Sequence, residues 1–419
     1  MDCRLLILWI VSPIIKTETS RKRRVIMQSF RQYNPTEIIF GKDTEKEVGQ
    51  EVKKWGGSKV VLVYGQGSAV KSGLIDRVKG VLREAGLSYV EVSGVQPNPR
   101  LSLAEEGVLK ALDFGADFIL AVGGGSAIDT AKAISHGAAN PGAELWDIWT
   151  GKVPLTNSLP VGSILTISAA GSETSDSAVL TNEARGKKAG LNSGFNRPQF
   201  AIMNPELTYT LPAYQVACGA VDIMMHTLER YFIPDQSNEM TDEIAEGLLR
   251  TVIKNGSIAY RDASDYNAMS ELMWCGSLSH NDLTGLGRVK DFCVHKFGHA
   301  LGAMFDKAHG ATLSAVWGSW ARYVYKSDAD RFKHYGSRVW NLQIKDAEEA
   351  ALAAIDKTEA YFCSLDMPTS LPELLGQVQS DEILRRLALD ATLNNTLRLS
   401  KIKELDADDV YEIYKAANS

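Results

Sequence analysis

Cysteine is scarce in this 419-residue chain: Cys3, Cys218, Cys275, Cys293 and Cys363 are scattered, with no Cys-x-x-Cys pair among them. That excludes a disulfide framework and fits a reducing compartment, the cytoplasm. Positive charge is in short supply too. Lys and Arg number 45 against 51 Asp and Glu, a formal net charge of −6. A bulk nucleic-acid binder needs a net basic face, so nucleic acid is not an expected partner. Low-complexity segments and internal repeats are missing, and 45% apolar with 23% charged residues is a globular composition, neither disordered tail nor coiled coil. From Met27 onward no apolar run approaches the roughly 20 residues that span a bilayer, so no membrane partner is expected either. At about 150 residues per domain, the length bounds the answer at two or three domains.

The first 26 residues differ from the rest. Leu5 to Ile15 is an apolar run followed by Arg21, Lys22, Arg23 and Arg24. It is too short to cross a membrane. As a signal peptide it lacks a small-residue cleavage site and carries its main charge on the wrong side. It reads as a leader or non-native extension, with the functional chain starting at Met27. Six basic and two acidic residues give it +4, so residues 27–419 carry −10.

Beyond Met27, short apolar runs alternate with helical periods. KVVLVYG (59–65), YVEVSGV (89–95), FILAV (118–122), GSILTIS (162–168) and FAIMN (200–204) read as strands. Helices are expected over 74–85, 104–114 and 127–136. This β-α-β-α order implies a Rossmann-like parallel sheet covered by helices. After Leu211-Pro212 nearly everything to Ala417 has helical spacing. The expected organisation is therefore an α/β domain over 27–211 and an all-helical domain over 212–419, with a ligand cleft between them.

Three segments carry chemistry. At Gly123-Gly124-Gly125-Ser126-Ala127-Ile128-Asp129 a strand runs through glycines into a helix, leaving backbone N–H groups free for a phosphate. The alternative is a tight turn capped by Ser126; the segment matches neither G-x-G-x-x-G nor a P-loop. Gly65-Gln66-Gly67-Ser68 ends the first strand run without the acidic residue that would hold the 2′-hydroxyl of NAD, so NADP(H) is permitted. Third, Asp222 and His226 stand at i,i+4 in an apolar helix, His295 and His299 at i,i+4 in another, and His309 ten residues beyond. Imidazoles with a carboxylate suit one first-row divalent metal, Fe(II) or Zn(II). Cys218 and Cys293 read as small buried thiols. His136, His280 and His334 have no partner in sequence and read as structural or surface residues.

At these residues the chain resembles the metal-dependent, iron-containing (group III) alcohol dehydrogenases, in their butanol dehydrogenase and aldehyde reductase branch. The resemblance runs from about Met27 to the C-terminus through FGK (40–42), YGQGS (64–68), QPNP (96–99), GGGSAID (123–129), LTISAAGSE (165–173) and the Asp/His set. It implies metal ligation by Asp222, His226, His295 and His309, with His299 beside the nicotinamide and off the metal. It implies a pyrophosphate site at Gly124, Gly125 and Ser126, with Asp129 and Lys132 in the helix that follows. Gly65, Gly67 and Ser68 would surround the adenosine ribose, and Asn98, Thr166 and Lys188 would line the cofactor. A homodimer is also implied.

The implied activity is metal-dependent, NAD(P)(H)-linked interconversion of primary alcohols and aldehydes, with NADP(H) favoured over NAD(H). Competing readings are a glycerol or 1,2-propanediol dehydrogenase, a carbon–oxygen lyase that returns its NAD unchanged, and a metal- and nucleotide-binding sensor.

Overall fold

The computed structural model describes residues 27–234 and 238–419; the leader expected over 1–26 lies outside the described residues. Among the described residues eight strands form: β1 (Glu37–Phe40), β2 (Lys59–Gly65), β3 (Ser88–Val95), β4 (Phe118–Gly123), β5 (Val161–Leu165), β6 (Ser177–Asn182), β7 (Lys187–Asn192) and β8 (Phe200–Met203). Six of them make a parallel sheet in the order β1-β8-β5-β4-β2-β3. The near-continuous apolar runs of β2 and β4 are what a central strand covered on both faces requires. Their side chains alternate between two cores. Val60 and Leu62 pack on one face with Leu74, Val78 and Leu82 of helix α1 (Leu74–Glu84). Val61 and Val63 pack on the other with Ile128 and Ile134 of α3 (Gly125–Ala139), beside α2 (Leu101–Phe114).

The buried stripe of α2 runs through Leu101, Ala104, Gly107 and Ala111, while Leu109 and Leu112 are exposed. Gly107 lies on that stripe because a Cβ there would meet Ile134 Cδ1 at 2.4 Å. The strand expected over 162–168 stops at Leu165, and residues 166–175 cross the end of the sheet as a loop. The antiparallel hairpin β6–β7 was not anticipated, since β7 (KKAGLN) is polar and half-exposed and shows no apolar run.

The chain leaves the sheet at β8, and helices follow from Ala213: α4 (Ala213–Tyr231), α5 (Glu239–Arg261), α6 (Tyr266–His280), α7 (Cys293–Phe305), α8 (His309–Val324), α9 (Ala329–Trp340), α10 (Ala347–Ser364), α11 (Asp381–Ala391) and α12 (Ala407–Ala416), with shorter turns between them. Residues 216–231 of α4 are all buried, so this helix is the axis of the helical half. None of the described helices is long and apolar enough to cross a membrane.

Candidate metal centre and cofactor cleft

In the sheet, β3 lies on one side of β2 and β4 on the other, so the direction of winding reverses between β2 and β4. Ligands of open parallel sheets bind outside the carboxyl ends of the strands at such a point. Gly65, Gly67 and Ser68 follow β2 there, and Gly124, Gly125 and Ser126 follow β4. All six line one cleft of about 1280 Å³ between the sheet and the helical half. Gly124 is the N-cap of α3, and no side chain caps it, so Ser126 does not act as the cap that the turn reading required. A Cβ on Gly124 would strike Ile167 Cγ2 at 2.1 Å, so the glycine is also what lets the 166–175 loop close over the helix start. Thr166, Asn98 and Lys188 stand on the same wall. Lys188 Nζ donates to Asn98 Oδ1 at 3.0 Å, and Asn98 Nδ2 donates to Asp306 Oδ1 at 2.9 Å. Burial pulls Lys188 down to about 8, against the opposing pull of Asp129, Asp222 and Asp306.

Lys132 is placed differently from the expectation. Its Nζ is fully buried beneath the loop and donates to Ser172 O, Ser172 Oγ and Ser177 O. It is an internal strut and does not line the cleft. Asp129 lines the cleft, but both carboxylate oxygens are engaged, by the Ser172 hydroxyl and the Val179 N–H.

At the other end of the cleft, α4, α7 and α8 converge. Asp222 Oδ1 lies 3.7 Å from His226 Nδ1, 3.5 Å from His295 Nε2 and 3.7 Å from His309 Nε2. Ligand atoms about 2.1 Å from a shared tetrahedral ion would be roughly 3.4 Å apart, close to this spacing. Asp222 Oδ1, His226 Nδ1 and His295 Nε2 are buried without hydrogen-bond partners among the described residues. Leaving these buried polar atoms unpaired costs several kcal/mol, and a divalent cation removes that cost. The ligand atoms of Asp222, His295 and His309 all lie within 4.8 Å of one another, with His226 Nδ1 beside Asp222, so the residues fit the ion. Burial, with neighbouring imidazoles, holds His226 well below the ordinary range, and burial takes His309 to about 3 despite Asp222. Both rings are thus neutral, the form that ligates.

Glu229 was not singled out from the sequence, although 222, 226 and 229 share one face of α4. Its carboxylate receives His295 Nδ1–H and also the N–H groups of Val294 and His295. Burial opposes charge on His295, but Glu229 outweighs it and lifts the ring to about 9. The same bond keeps Nδ1–H on Glu229 and Nε2 aimed at Asp222, so an ion bound there would displace the proton from Nε2. Glu229→Gln should weaken metal retention about 10- to 100-fold in competition with a chelator. Retention equal to wild type would remove Glu229 from this role.

His299 stands beside the cluster, its ring 5.4 Å from that of His309 and 6.3 Å from that of His295, centroid to centroid. Its ring nitrogens are not within 4 Å of the Asp222 carboxylate, where a nitrogen of each of the other three lies. His280 corrects the expectation of a structural or surface residue: it lines the cleft, with its ring 4.0 Å from that of His226. His136 is buried between Ser158 and Asn196, and His334 pairs with Glu246 at the surface. Cys218 and Cys293 are buried thiols, as expected.

Residues 35–205 match the family described as iron-containing alcohol dehydrogenase, and residues 216–418 match the C-terminal part of the Fe-containing alcohol dehydrogenase family. The chain belongs to the iron-containing alcohol dehydrogenases. Within that family it is 38% identical to NADH-dependent butanol dehydrogenase A of Clostridium acetobutylicum, over 93% of this chain and 99% of the relative. It is 34% identical to an NADPH-dependent aldehyde reductase of Escherichia coli, over 83% and 89%. The crystal structure of an NADH-dependent butanol dehydrogenase A from Thermotoga maritima superposes with a TM-score of 0.90 at 35% identity, covering 94% of this chain and 99% of that one. This alcohol dehydrogenase thus shares fold and chain length with its relatives, both halves included.

Proposed function

We propose that the chain is a metal-dependent NAD(P)(H) oxidoreductase interconverting primary alcohols and aldehydes. The observation that carries the reading is Asp222 Oδ1 ringed by three imidazoles at one end of a cleft whose other end is a glycine-rich helix start. Asp222, His226, His295 and His309 would hold one ion, Fe(II) or Zn(II). Gly65, Gly67, Ser68, Asn98, Gly124, Gly125, Ser126, Thr166 and Lys188 would hold the dinucleotide, with Asp129 bracing the loop behind it. When bound, the ion supplies a Lewis acid for the substrate oxygen and the nicotinamide supplies or accepts the hydride. The protein orients the two and shields them from water.

His299 would relay the proton exchanged with the substrate oxygen. Burial, reinforced by Lys188 and His309, keeps its ring well below the ordinary range, so it rests neutral and would pass the proton on without storing it. His299→Ala should lower turnover about 10²- to 10⁴-fold with metal content unchanged. Loss of metal in that variant would contradict the assignment.

NADP(H) is proposed as the favoured cofactor. The wall beyond β2 is formed by Gly65, Gly67, Ser68, Lys71 and Ser72, with no carboxylate among the described residues there to repel a 2′-phosphate. The NADH named for several relatives supports the opposite preference. A rate screen of short aldehydes with NADPH and NADH, repeated with Fe(II), Zn(II) and chelator, tests both points. Metal-dependent aldehyde reduction is expected, faster with NADPH at limiting cofactor. Equal rates in metal-free and reconstituted protein would refute the Lewis-acid role, and a strong NADH preference would refute the cofactor assignment. Glycerol and 1,2-propanediol in the same screen address the polyol reading. We also propose a domain boundary near residue 211, a homodimer and a cytoplasmic location; sedimentation addresses the second.

A further inference from the structure

Beside the metal cluster the cleft wall includes Arg230, His280, Lys290, Phe292 and Asp176. Arg230 lies one helical turn after His226 on α4 and is 2% exposed. Its Nη1 donates to the His226 carbonyl at 2.6 Å, its guanidinium sits over the Phe292 ring at 4.8 Å, and its Nε is buried without a partner. A carbonyl and a ring face do not neutralise a buried cation, and a buried charge without a counter-ion is costly.

The nearby carboxylates are already committed. Lys290 Nζ lies 2.7 Å from Asp282 and 3.6 Å from Asp176. Arg197 Nη2 lies 2.8 Å from Asp282 and 3.8 Å from Asp176. Asp282, Glu229 and Asp176 act on Arg230 only at longer range, and Arg230 makes no ion pair within 4 Å among the described residues, whereas Lys290 and Arg197 do. A second polar atom on the same wall, His280 Nδ1, is likewise buried and unpartnered. Phe292 joins this wall to the cluster, with its ring 6.5 Å from that of His226 and 5.5 Å from that of His295. Through Phe292, a short substrate whose oxygen is at the cluster would have Arg230 within reach of its far end.

We propose that Arg230 determines specificity by receiving a terminal carboxylate, so that the preferred substrates are short ω-oxo acids and the corresponding ω-hydroxy acids. The inference rests on the alcohol–aldehyde reading above. In the reducing direction the aldehyde carbon gains a hydride from the reduced nicotinamide and its oxygen gains a proton, while the distal carboxylate is unchanged. Arginine suits this task because its planar fork accepts a carboxylate in two parallel hydrogen bonds.

The test compares kcat/KM of the metal-loaded enzyme for three aldehydes of equal backbone length: 4-oxobutanoate, butanal and 4-(trimethylammonio)butanal. The expected order is carboxylate, neutral, cation, with 4-oxobutanoate ahead of butanal by about 10- to 100-fold, the range of a charge-assisted contact. In Arg230→Met the ratio of 4-oxobutanoate to butanal should collapse towards one, through KM for the oxo acid, and Arg230→Lys should restore part of it. A purely structural arginine would lower both rates together and leave the ratio unmoved, which overturns the proposal. So does a wild-type enzyme that reduces butanal as well as 4-oxobutanoate, a result that leaves the general activity standing. Failure to reduce any of the three with either cofactor overturns the activity itself and this inference with it.

Discussion

Asp222→Ala yields a protein that purifies without bound metal and turns over about 10³-fold more slowly or worse. The size follows from geometry. Asp222 Oδ1 lies within 3.7 Å of a nitrogen on each of His226, His295 and His309, so its loss removes the anionic member of the set and an atom the three share. A Lewis acid stabilises developing charge by several kcal/mol, and about 4 kcal/mol is near 10³ in rate. Asp222→Asn is the sharper version: it keeps size and hydrogen-bonding capacity but loses the charge. Metal analysis of the purified protein and initial rates of aldehyde reduction measure both. A stoichiometrically loaded Asp222→Asn enzyme within tenfold of wild type would show that the carboxylate is not a ligand.

Gly310→Ala produces the second large effect, through the backbone. Gly310 follows His309, and a Cβ there would sit 2.2 Å from Cys218 O, 2.7 Å from its Cα and 2.8 Å from its carbonyl carbon. No flexible side chain can yield, so α8 must move away from α4 one turn before Asp222. Overpacking of this kind costs about 1–3 kcal/mol. Here it also separates His309 from Asp222, so we expect lower thermal stability together with metal affinity reduced tenfold or more. Gly80→Ala on α1 is the contrasting substitution. Its Cβ would meet nothing within 4 Å, and alanine in a helix interior is favoured over glycine by about 0.5–1 kcal/mol. Melting curves and metal titrations of the two variants should move apart; parallel behaviour would contradict the close-approach argument.

The sequence exposed the parts whose spacing is local. The apolar runs of β2 and β4 and the helical period after Ala213 were enough for the fold class. Asp222 with His226, and His295 with His299, stood out because i,i+4 pairs are visible along a chain. What escaped depended on contacts distant in sequence. Glu229 looks like any helix carboxylate until α7 is packed against it. His280 has no neighbour in sequence, and only the packing of α6 on α4 brings it to His226. The resemblance put Lys132 with the pyrophosphate site, yet its Nζ is taken up by Ser172 of the 166–175 loop and by Ser177 of β6. The resemblance, and not the spacing, separated His299 from the three histidines that face Asp222.

Asp222 and the three imidazoles around its Oδ1 also bear on how the chain holds together. They come from three helices and are spread over residues 222 to 309, so they are gathered only in the folded chain. An ion held there and nowhere in the unfolded ensemble adds its binding free energy to folding, about 2.7 kcal/mol when free metal stands at 100 times its dissociation constant. Metal supply is therefore a thermodynamic variable of the fold as well as of the chemistry. In a metal-poor medium the helical half would lose its internal tie, and the steady-state amount of protein, not only its specific activity, would fall.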